Sequence, residues 1–468
     1  MTNNKKICII GAGIGGLTAG ALLSKNGFNV EIFEKEKMIG GRALSFKGEE
    51  IDYNEYKKLL SRFNMNIAFS EPDLKTIFEK EMLHGFKLDL GYHAISGGII
   101  SNINDILSNF NEYVDFIDSR AGLITKDGFD YPWLTKIDKI KIFPNILRLL
   151  YVNEKSLIQL DKISISDSIK KYGKGKTRLI LEIFSRSITT MNNLDKISTG
   201  EMVRAQRNLY KSSKPLVYPK GGIIKITKKF SDFIIDNGGK IHLEKPVDKI
   251  IIKNNKAIGI FVEGKEISFD IIVSNILVQD IFKIANEKYF PKNYVNKIKS
   301  LEGTGSLCAY YCLKKVDPNL IGKTFHFIER NTGLEGDDIV GMIDFMTSHP
   351  EAGLSPPNEY LIQSYVICTP EEAKNKKILK ILKGILDKNL KHIIPDFKKN
   401  LNWAIYLTIW HLDGVAKTID KDKPGIKTTI ENLFFIGDCV KAPGIGFNCA
   451  INSARLLTDL LNISKNKH

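Results

Sequence analysis

The stretch Cys8-Ile-Ile-Gly-Ala-Gly-Ile-Gly-Gly-Leu-Thr-Ala-Gly20 decides how this chain is read. Gly11, Gly13 and Gly16 stand in G-x-G-x-x-G spacing, with Gly15 inside the run and Gly20 one helical turn further on. Ile7 to Ile10 form a short apolar run, as a buried parallel strand requires. Leu17 to Lys25 read as a helix, and Val30-Glu-Ile-Phe33 as a second strand that ends at Glu34 and Lys35. Each glycine has a separate task. Gly11 permits the tight turn, Gly13 lets a pyrophosphate approach the backbone, and Gly16 lets the helix lie close to the strand. The helix N-terminus offers unpaired N–H groups to phosphates, and a carboxylate at Glu34 can accept from a ribose diol. A secretory signal is the competing reading, because Lys5 and Lys6 precede the apolar stretch. The amphipathic strand–helix–strand pattern and the missing small-residue cleavage site speak against it.

The 468 residues suffice for two or more structural units. Apolar residues make up 43% of the chain, which excludes a disordered protein, and no apolar run approaches the ~20 residues that span a bilayer. The net charge of +15 accompanies heavy use of Lys, Ile and Asn; an anionic partner such as a membrane surface is the functional alternative. No motif supports nucleic-acid binding. Cys8, Cys308, Cys312, Cys368, Cys439 and Cys449 form no C-x-x-C pair. Cys308 and Cys312 lie on one expected strand, about 13 Å apart and too far for a disulfide. Free thiols point to a reducing, cytoplasmic compartment.

Further along, residues 54–84 read as one or two helices, and about 100–214 as mostly helical with few strand signals. Tyr218-Pro-Lys-Gly-Gly222 opens a new block, with a helix at 223–236 and strands at 240–243, 247–252, 257–262 and 266–274. Strands at 306–314, 338–344 and 360–367 follow, then a basic helix at 370–392. Leu433-Phe-Phe-Ile-Gly-Asp438 is a last strand, and a helix is expected from about Asn448 to Leu461. Lys170-Lys-Tyr-Gly-Lys-Gly-Lys-Thr177 imitates a phosphate loop, but Lys170 stands where that motif needs glycine.

The order of the Gly11–Glu34 unit, Gly40-Gly41-Arg42, Tyr218-Pro-Lys-Gly-Gly222 and Leu433–Asp438 resembles the FAD-dependent amine-oxidase superfamily. Within it the chain resembles the branch of phytoene desaturases, carotenoid isomerases and retinol saturases, over nearly its whole length. The resemblance implies an α/β fold: a Rossmann-like FAD-binding domain with a parallel sheet, plus an α+β substrate or cap domain. The FAD domain is expected to be discontinuous, from 1–98, 215–275 and 425–468, with the cap from 99–214 and 276–424. Gly437-Asp438 would aim a carboxylate at the ribityl or phosphate region, and Gly446-Phe447-Asn448 would offer N–H groups to the flavin. Arg42 would lie over the diphosphate or flavin, and Val247 corresponds to the strand that meets the adenine. Two departures stand out. About forty residues separate Arg42 from Asp89-Leu-Gly-Tyr-His93, and Cys439 does not match the family's motif for covalent attachment, so noncovalent FAD is expected.

The resemblance implies hydride transfer between flavin N5 and a carbon of an apolar, isoprenoid or polyene substrate: desaturation, saturation or isomerisation. An amine or porphyrinogen oxidase is the alternative on the same fold, and a flavoprotein with a structural cofactor and a docking role is a third. His93 and His411 are the catalytic candidates, each with an ordinary structural histidine as the competing reading. Trp410 is a candidate pocket residue, and Arg204 with Arg207 a candidate anion clamp. No metal-ligand pattern occurs. With only one glycine fingerprint, a built-in NAD(P)H site is unsupported, so oxygen, a quinone or another electron carrier is the expected redox partner. Leu134 to Val152 mixes Lys136, Lys139, Lys141 and Arg148 with Ile140, Ile142, Phe143, Ile146, Leu147, Leu149 and Leu150. That mixture suits an interfacial helix of a peripheral membrane protein, and a buried cap helix is the alternative.

Overall fold

A computed structural model describes residues 5–93, 95–96, 102–210 and 216–465. Five parallel strands form the sheet that carries the glycine loop. Their order is Lys240–His242, Asn29–Phe33, Lys6–Ile10, Ile271–Ser274, Leu433–Phe435. Ile7, Ile9, Val30, Ile32, Ile272 and Val273 are fully buried, as strands covered on both faces must be. The helix Ile14–Lys25 lies on this sheet between Ile224–Asp236 and Phe447–Lys465. Gly20 explains how closely: a Cβ there would stand 2.8 Å from Ile234 Cδ1 and 2.9 Å from Ile32 Cδ1. Lys249–Lys253, Lys256–Val262 and Lys265–Ser268 make a small antiparallel sheet beside it.

The second layer is an eight-stranded mixed sheet. Its order is Met65–Glu71, Leu401–Ile409, Gly305–Leu313, Tyr360–Cys368, Ile339–Asp344, Thr324–Glu329, Ala121–Thr125, Gly128–Asp130. All its pairings are antiparallel except that of Thr324–Glu329 with Ala121–Thr125. One face packs on the amphipathic helix Lys376–Ile393 through Leu379, Leu382, Leu386 and Leu390. The helix Gly175–Thr189 packs on Thr324–Glu329 and Ile339–Asp344.

Several elements differ from the sequence reading. Residues 54–84 are not all helical: Tyr53–Arg62 and Leu74–Glu79 flank the strand Met65–Glu71. Asn64, at φ 56°, ends the helical path, and Leu401–Ile409 supplies the strand's partner from across the chain. Phe116–Ser119, Ala121–Thr125 and Gly128–Asp130 are strands inside the stretch read as helical. Thr324–Glu329 and Leu401–Ile409 are further strands without a forecast. The single strand expected at 266–274 is two, Lys265–Ser268 and Ile271–Ser274, which serve different sheets. The phosphate-loop imitation spans the break between helices Ile165–Tyr172 and Gly175–Thr189. All six cysteines are free and buried. Among the described residues no helix is long and apolar enough to cross a membrane.

Candidate functional site

The site grows from the carboxyl end of the strand Lys6–Ile10. Gly11 turns the chain at φ +100°, and its amide donates to the Phe33 carbonyl at 2.8 Å. Gly13 caps the helix Ile14–Lys25, whose first bond is Leu17 N–H to the Gly13 carbonyl at 2.9 Å. The amides of the first turn precede that bond and have no partner within the helix. Gly16 does not face the cavity; a Cβ there would lie 2.1 Å from the Gly11 carbonyl oxygen, so only glycine lets helix and turn meet. Glu34 accepts from the Ala12 amide at 2.7 Å and the Glu36 amide at 3.0 Å, tying the turn to the next strand. Burial raises its pKa, opposed by those two amides. Lys35 lines the cavity mouth beside it.

Gly40-Gly41-Arg42 lies against the turn through the Gly40 amide, which donates to the Ala12 carbonyl at 2.8 Å. Arg42 Nη2 meets Asp438 Oδ1 at 2.5 Å, and Nη1 donates to the His411 carbonyl at 2.9 Å. Asp438 Oδ2 accepts from the Gly414 amide at 2.8 Å. Burial opposes the Asp438 charge, but Arg42, Lys423 and that amide hold its carboxyl well below the usual carboxylate range. Buried Lys423 donates to the Asp438 carbonyl at 2.6 Å and meets Asp413 at 3.1 Å. Burial, partly offset by Lys423, pushes the Asp413 carboxyl up to about 6. Gly437 is anchored from behind, its amide donating to Ser453 Oγ at 2.9 Å.

A cavity of about 980 Å³ runs past all these groups. Its size lies at the upper end of the ~300–1,000 Å³ usual for cofactor and ligand sites. Gly11, Gly13, Gly15, Glu34, Lys35, Gly41, Arg42, Val247, His93, His411, Gly437, Asp438, Gly446, Phe447 and Asn448 all line it. Val247 precedes the strand Lys249–Lys253 instead of lying on it. The lining also includes an aromatic and apolar group, Tyr92, Phe184, Ile188, Met342, Tyr365 and Ile409, with His326 beside Phe184 and Ser187 beside Tyr365. His93 and His411 are both held toward the neutral form, by burial first; Asp89 opposes this at His93, and Arg42 adds to it at His411.

Other candidates lie elsewhere. Trp410 packs at the margin of the core between the eight-stranded sheet and Lys376–Ile393, under Lys374. Arg204 meets Asp161 at 2.7 Å and Arg207 meets Glu154 at 3.6 Å, so both guanidinium groups have partners within the protein. The basic, apolar stretch is the helix Lys136–Tyr151, with Ile137, Ile140, Phe143 and Tyr151 exposed. Its side chains at 142 and 145–150, including Ile142, Ile146, Leu147, Arg148, Leu149 and Leu150, lie outside the described residues. No described residue of this helix lines the cavity; it packs on Thr199–Tyr210, whose Ala205 does.

The sequence reading missed Asn275, which follows the strand Ile271–Ser274. Its Nδ2 donates to the Gly11 carbonyl at 3.2 Å, and its Oδ1 would stand 2.6 Å from a Cβ on Gly15. A polar residue at the carboxyl end of an apolar strand was the available signal. Lys423, Asp413, Tyr92 and Tyr365 were also missed; each sits on a loop or a strand face whose direction only the fold defines. Among the described residues no group of three His, Cys, Asp or Glu side chains is placed to hold a metal.

The residues fit an elongated dinucleotide: side-chain-free backbone at the glycines, two helix N-termini, and two carboxylates spaced along one cavity. Residues 9–62 match the NAD(P)-binding Rossmann-like domain, and residues 150–460 match the flavin containing amine oxidoreductase family. The 4,4'-diaponeurosporene oxygenase of Staphylococcus haemolyticus is 23% identical over 98% of this chain and 97% of its own. The 4,4'-diapophytoene desaturase (4,4'-diapolycopene-forming) of Methylomonas sp. is 27% identical over 59% of this chain and 54% of its own. An oxidoreductase from Methanosarcina mazei shares the fold, with a TM-score of 0.71 at 21% identity, over 97% of this chain and 100% of that one.

Proposed function

The chain belongs to the flavin containing amine oxidoreductase family, and on that premise we propose that it uses noncovalent FAD to act on carbon–carbon bonds of an apolar polyene. One observation carries this reading. The cavity joins a polar half, made of glycine backbone, Glu34, Arg42 and Asp438, to an apolar lobe walled by Tyr92, Phe184, Ile188, Met342 and Tyr365. A lobe of that composition gains from burying hydrocarbon. The desaturase and oxygenase relatives, named for diapocarotenoids, support the same substrate class.

When bound, the flavin supplies the two-electron redox chemistry, and the protein supplies position and electrostatics. The Gly11–Gly16 turn and its helix N-terminus hold the diphosphate. Glu34 takes the ribose hydroxyls, with Lys35 beside it, and Val247 meets the adenine. Arg42 and Asp438 fix the ribityl region, and Gly446-Phe447-Asn448 faces the flavin ring. His93 and His411, neutral at physiological pH, border the seam between cofactor and substrate. The FAD domain comprises 1–98, 215–275 and 425–468, and the cap 99–214 and 276–424. Cys439 is not an attachment point: burial pushes its thiol up to about 12, leaving little thiolate.

The protein works in the cytoplasm at a membrane surface. Ile137, Ile140, Phe143 and Tyr151 stand exposed on a helix that also carries Lys136, Lys139 and Lys141, which suits contact with an anionic bilayer. Electrons leave to oxygen, a quinone or another carrier. The test is to denature the purified protein, identify the released cofactor by mass spectrometry, and mix the loaded protein anaerobically with an acyclic polyene. Bleaching of the flavin absorbance is expected. Bleaching by an amine and not by the polyene would overturn the substrate assignment, and release of NAD in place of FAD the cofactor assignment.

A further inference from the structure

Behind the apolar lobe lies a carboxyl group that nothing above employs. Asp344 ends the strand Ile339–Asp344, is fully buried, and shares its strand face with Met342, which lines the cavity. Its Oδ1 accepts from the Met346 amide at 2.7 Å. Its Oδ2 accepts from the hydroxyl of Tyr92 at 3.4 Å. Tyr92 in turn lines the cavity, adjacent in sequence to His93, and its ring lies 4.4 Å from that of Tyr365.

We propose that Tyr92 and Asp344 form a proton-transfer pair for the carbon–carbon chemistry of this cavity, with Tyr92 touching the substrate and Asp344 storing the proton behind it. The proposal rests on the polyene reading above. In desaturation, a hydride leaves one carbon with its electron pair for the flavin. The proton on the neighbouring carbon passes to the Tyr92 oxygen, while the Tyr92 hydroxyl proton passes to Asp344 Oδ2. The electron pair of that C–H bond becomes the new π bond. Atoms and electrons therefore balance: two electrons on the flavin, one proton on Asp344. Run backwards, the same pair delivers the proton needed for saturation.

Three features favour this over a structural role. First, no cation pairs with Asp344 among the described residues. The groups facing it are the Met346 amide and Tyr92, then Tyr218, with Thr324 and Gln363 opposite it on the flanking strands and His326, opposite Met342, pushed down to about 4 by burial. A buried carboxyl without a cation is costly, and asparagine would meet the Met346 amide as well. Second, that burial, offset by the Met346 amide and Tyr92, pushes Asp344 up to about 7, so it can both take and give a proton near neutrality. Third, Tyr92 lines the cavity and also reaches Asp344 with its hydroxyl; burial and Asp344 hold its phenol well above the ordinary range, as burial holds Cys308 and Tyr365, so it relays a proton without resting as phenolate. The 3.4 Å separation is long for a hydroxyl bond, as catalytic hydrogen bonds often are before substrate binds.

The experiment has two arms. In the flavin-free protein, an infrared titration should find a carboxyl with a midpoint near 7 that vanishes in Asp344→Asn. The midpoint should rise in Tyr92→Phe, because the hydroxyl stabilises the charged form. In the flavin-loaded protein, anaerobic bleaching by the polyene should accelerate with pH through about 7 in the wild type. Asp344→Asn and Tyr92→Phe should each slow it about 10²–10⁴-fold and lose that pH limb, while the polyene's absorption shift on binding persists. Wild-type bleaching left unchanged in rate and pH profile by Asp344→Asn would overturn the pair and leave the substrate reading intact. No bleaching of the wild type by polyene at any pH would overturn both. Absence of a carboxyl titrating near 7, or one near 7 that persists in Asp344→Asn, would overturn the pair alone.

Discussion

Replacing Arg42 with methionine is the sharpest probe of the join between the two ends of the chain. The substitution keeps an apolar stem but removes the guanidinium that meets Asp438 at 2.5 Å. Asp438 is 6% exposed, so solvent cannot take over. Breaking a buried ion pair from one side costs about 3–5 kcal/mol. The lower end applies here, about 3 kcal/mol, because the Gly414 amide still donates to the carboxylate, the Lys423 charge stays nearby on the Asp438 backbone carbonyl, and Arg42 itself is partly exposed. The sign with pH follows from the depressed pKa of Asp438. A carboxylate held below its unfolded value stabilises the fold above that value and loses the contribution as pH falls through the folded one. The wild-type advantage should therefore be level between about pH 5 and 8 and shrink below about pH 4. Urea denaturation of the flavin-free protein, followed by tryptophan fluorescence, measures it. A further Asp438→Asn change should return most of the loss, since removing both charges leaves no buried orphan. A loss under about 1 kcal/mol at pH 7, or one that does not shrink in acid, would refute the reasoning.

Glu34→Ala should weaken FAD binding about tenfold, because the ribose loses its acceptor and the turn loses the bonds from the Ala12 and Glu36 amides that shape it; fluorescence titration reads it, and Glu34→Gln should recover part. Gly16→Ala should cost more than about 1–3 kcal/mol, since its Cβ would meet the Gly11 carbonyl at 2.1 Å. Gly384→Ala, with nothing within 4 Å of the new Cβ in the exposed face of Lys376–Ile393, should instead raise stability by about 0.5–1 kcal/mol. Thermal melts of the two variants should move in opposite directions. Ile140→Glu with Phe143→Glu should abolish co-sedimentation with anionic vesicles and leave the melt unchanged; sedimentation equal to wild type would remove this helix from the membrane assignment.

What could be read from the sequence was local. Gly11 to Glu34 completes a strand–turn–helix–strand unit within thirty residues, so its period and punctuation specify it, and the structure has helix Ile14–Lys25 and strand Asn29–Phe33 there. Leu433–Phe435 was legible for the same reason. Met65–Glu71 was not. Its burial alternates poorly, and it is a strand because Leu401–Ile409 lies beside it, a partner more than three hundred residues away. Asp344 shows the same limit within the site. The residue stands at the end of an apolar run, but only pairing of that run with Thr324–Glu329 and Tyr360–Cys368 places it behind Tyr92.

The parallel sheet also sets a timetable for synthesis. Lys6 bonds Asp270 across 264 residues, and Arg42 bonds Asp438 across 396. At about 5–20 residues per second, a ribosome needs tens of seconds to deliver the central neighbour of Lys6–Ile10, and longer to deliver the edge strand Leu433–Phe435. Throughout that interval the nascent chain displays Ile7, Ile9, Val30 and Ile32, all of which end fully buried. Ribosome-held chains stopped before residue 433 should therefore engage holding chaperones, and full-length chains should shed them.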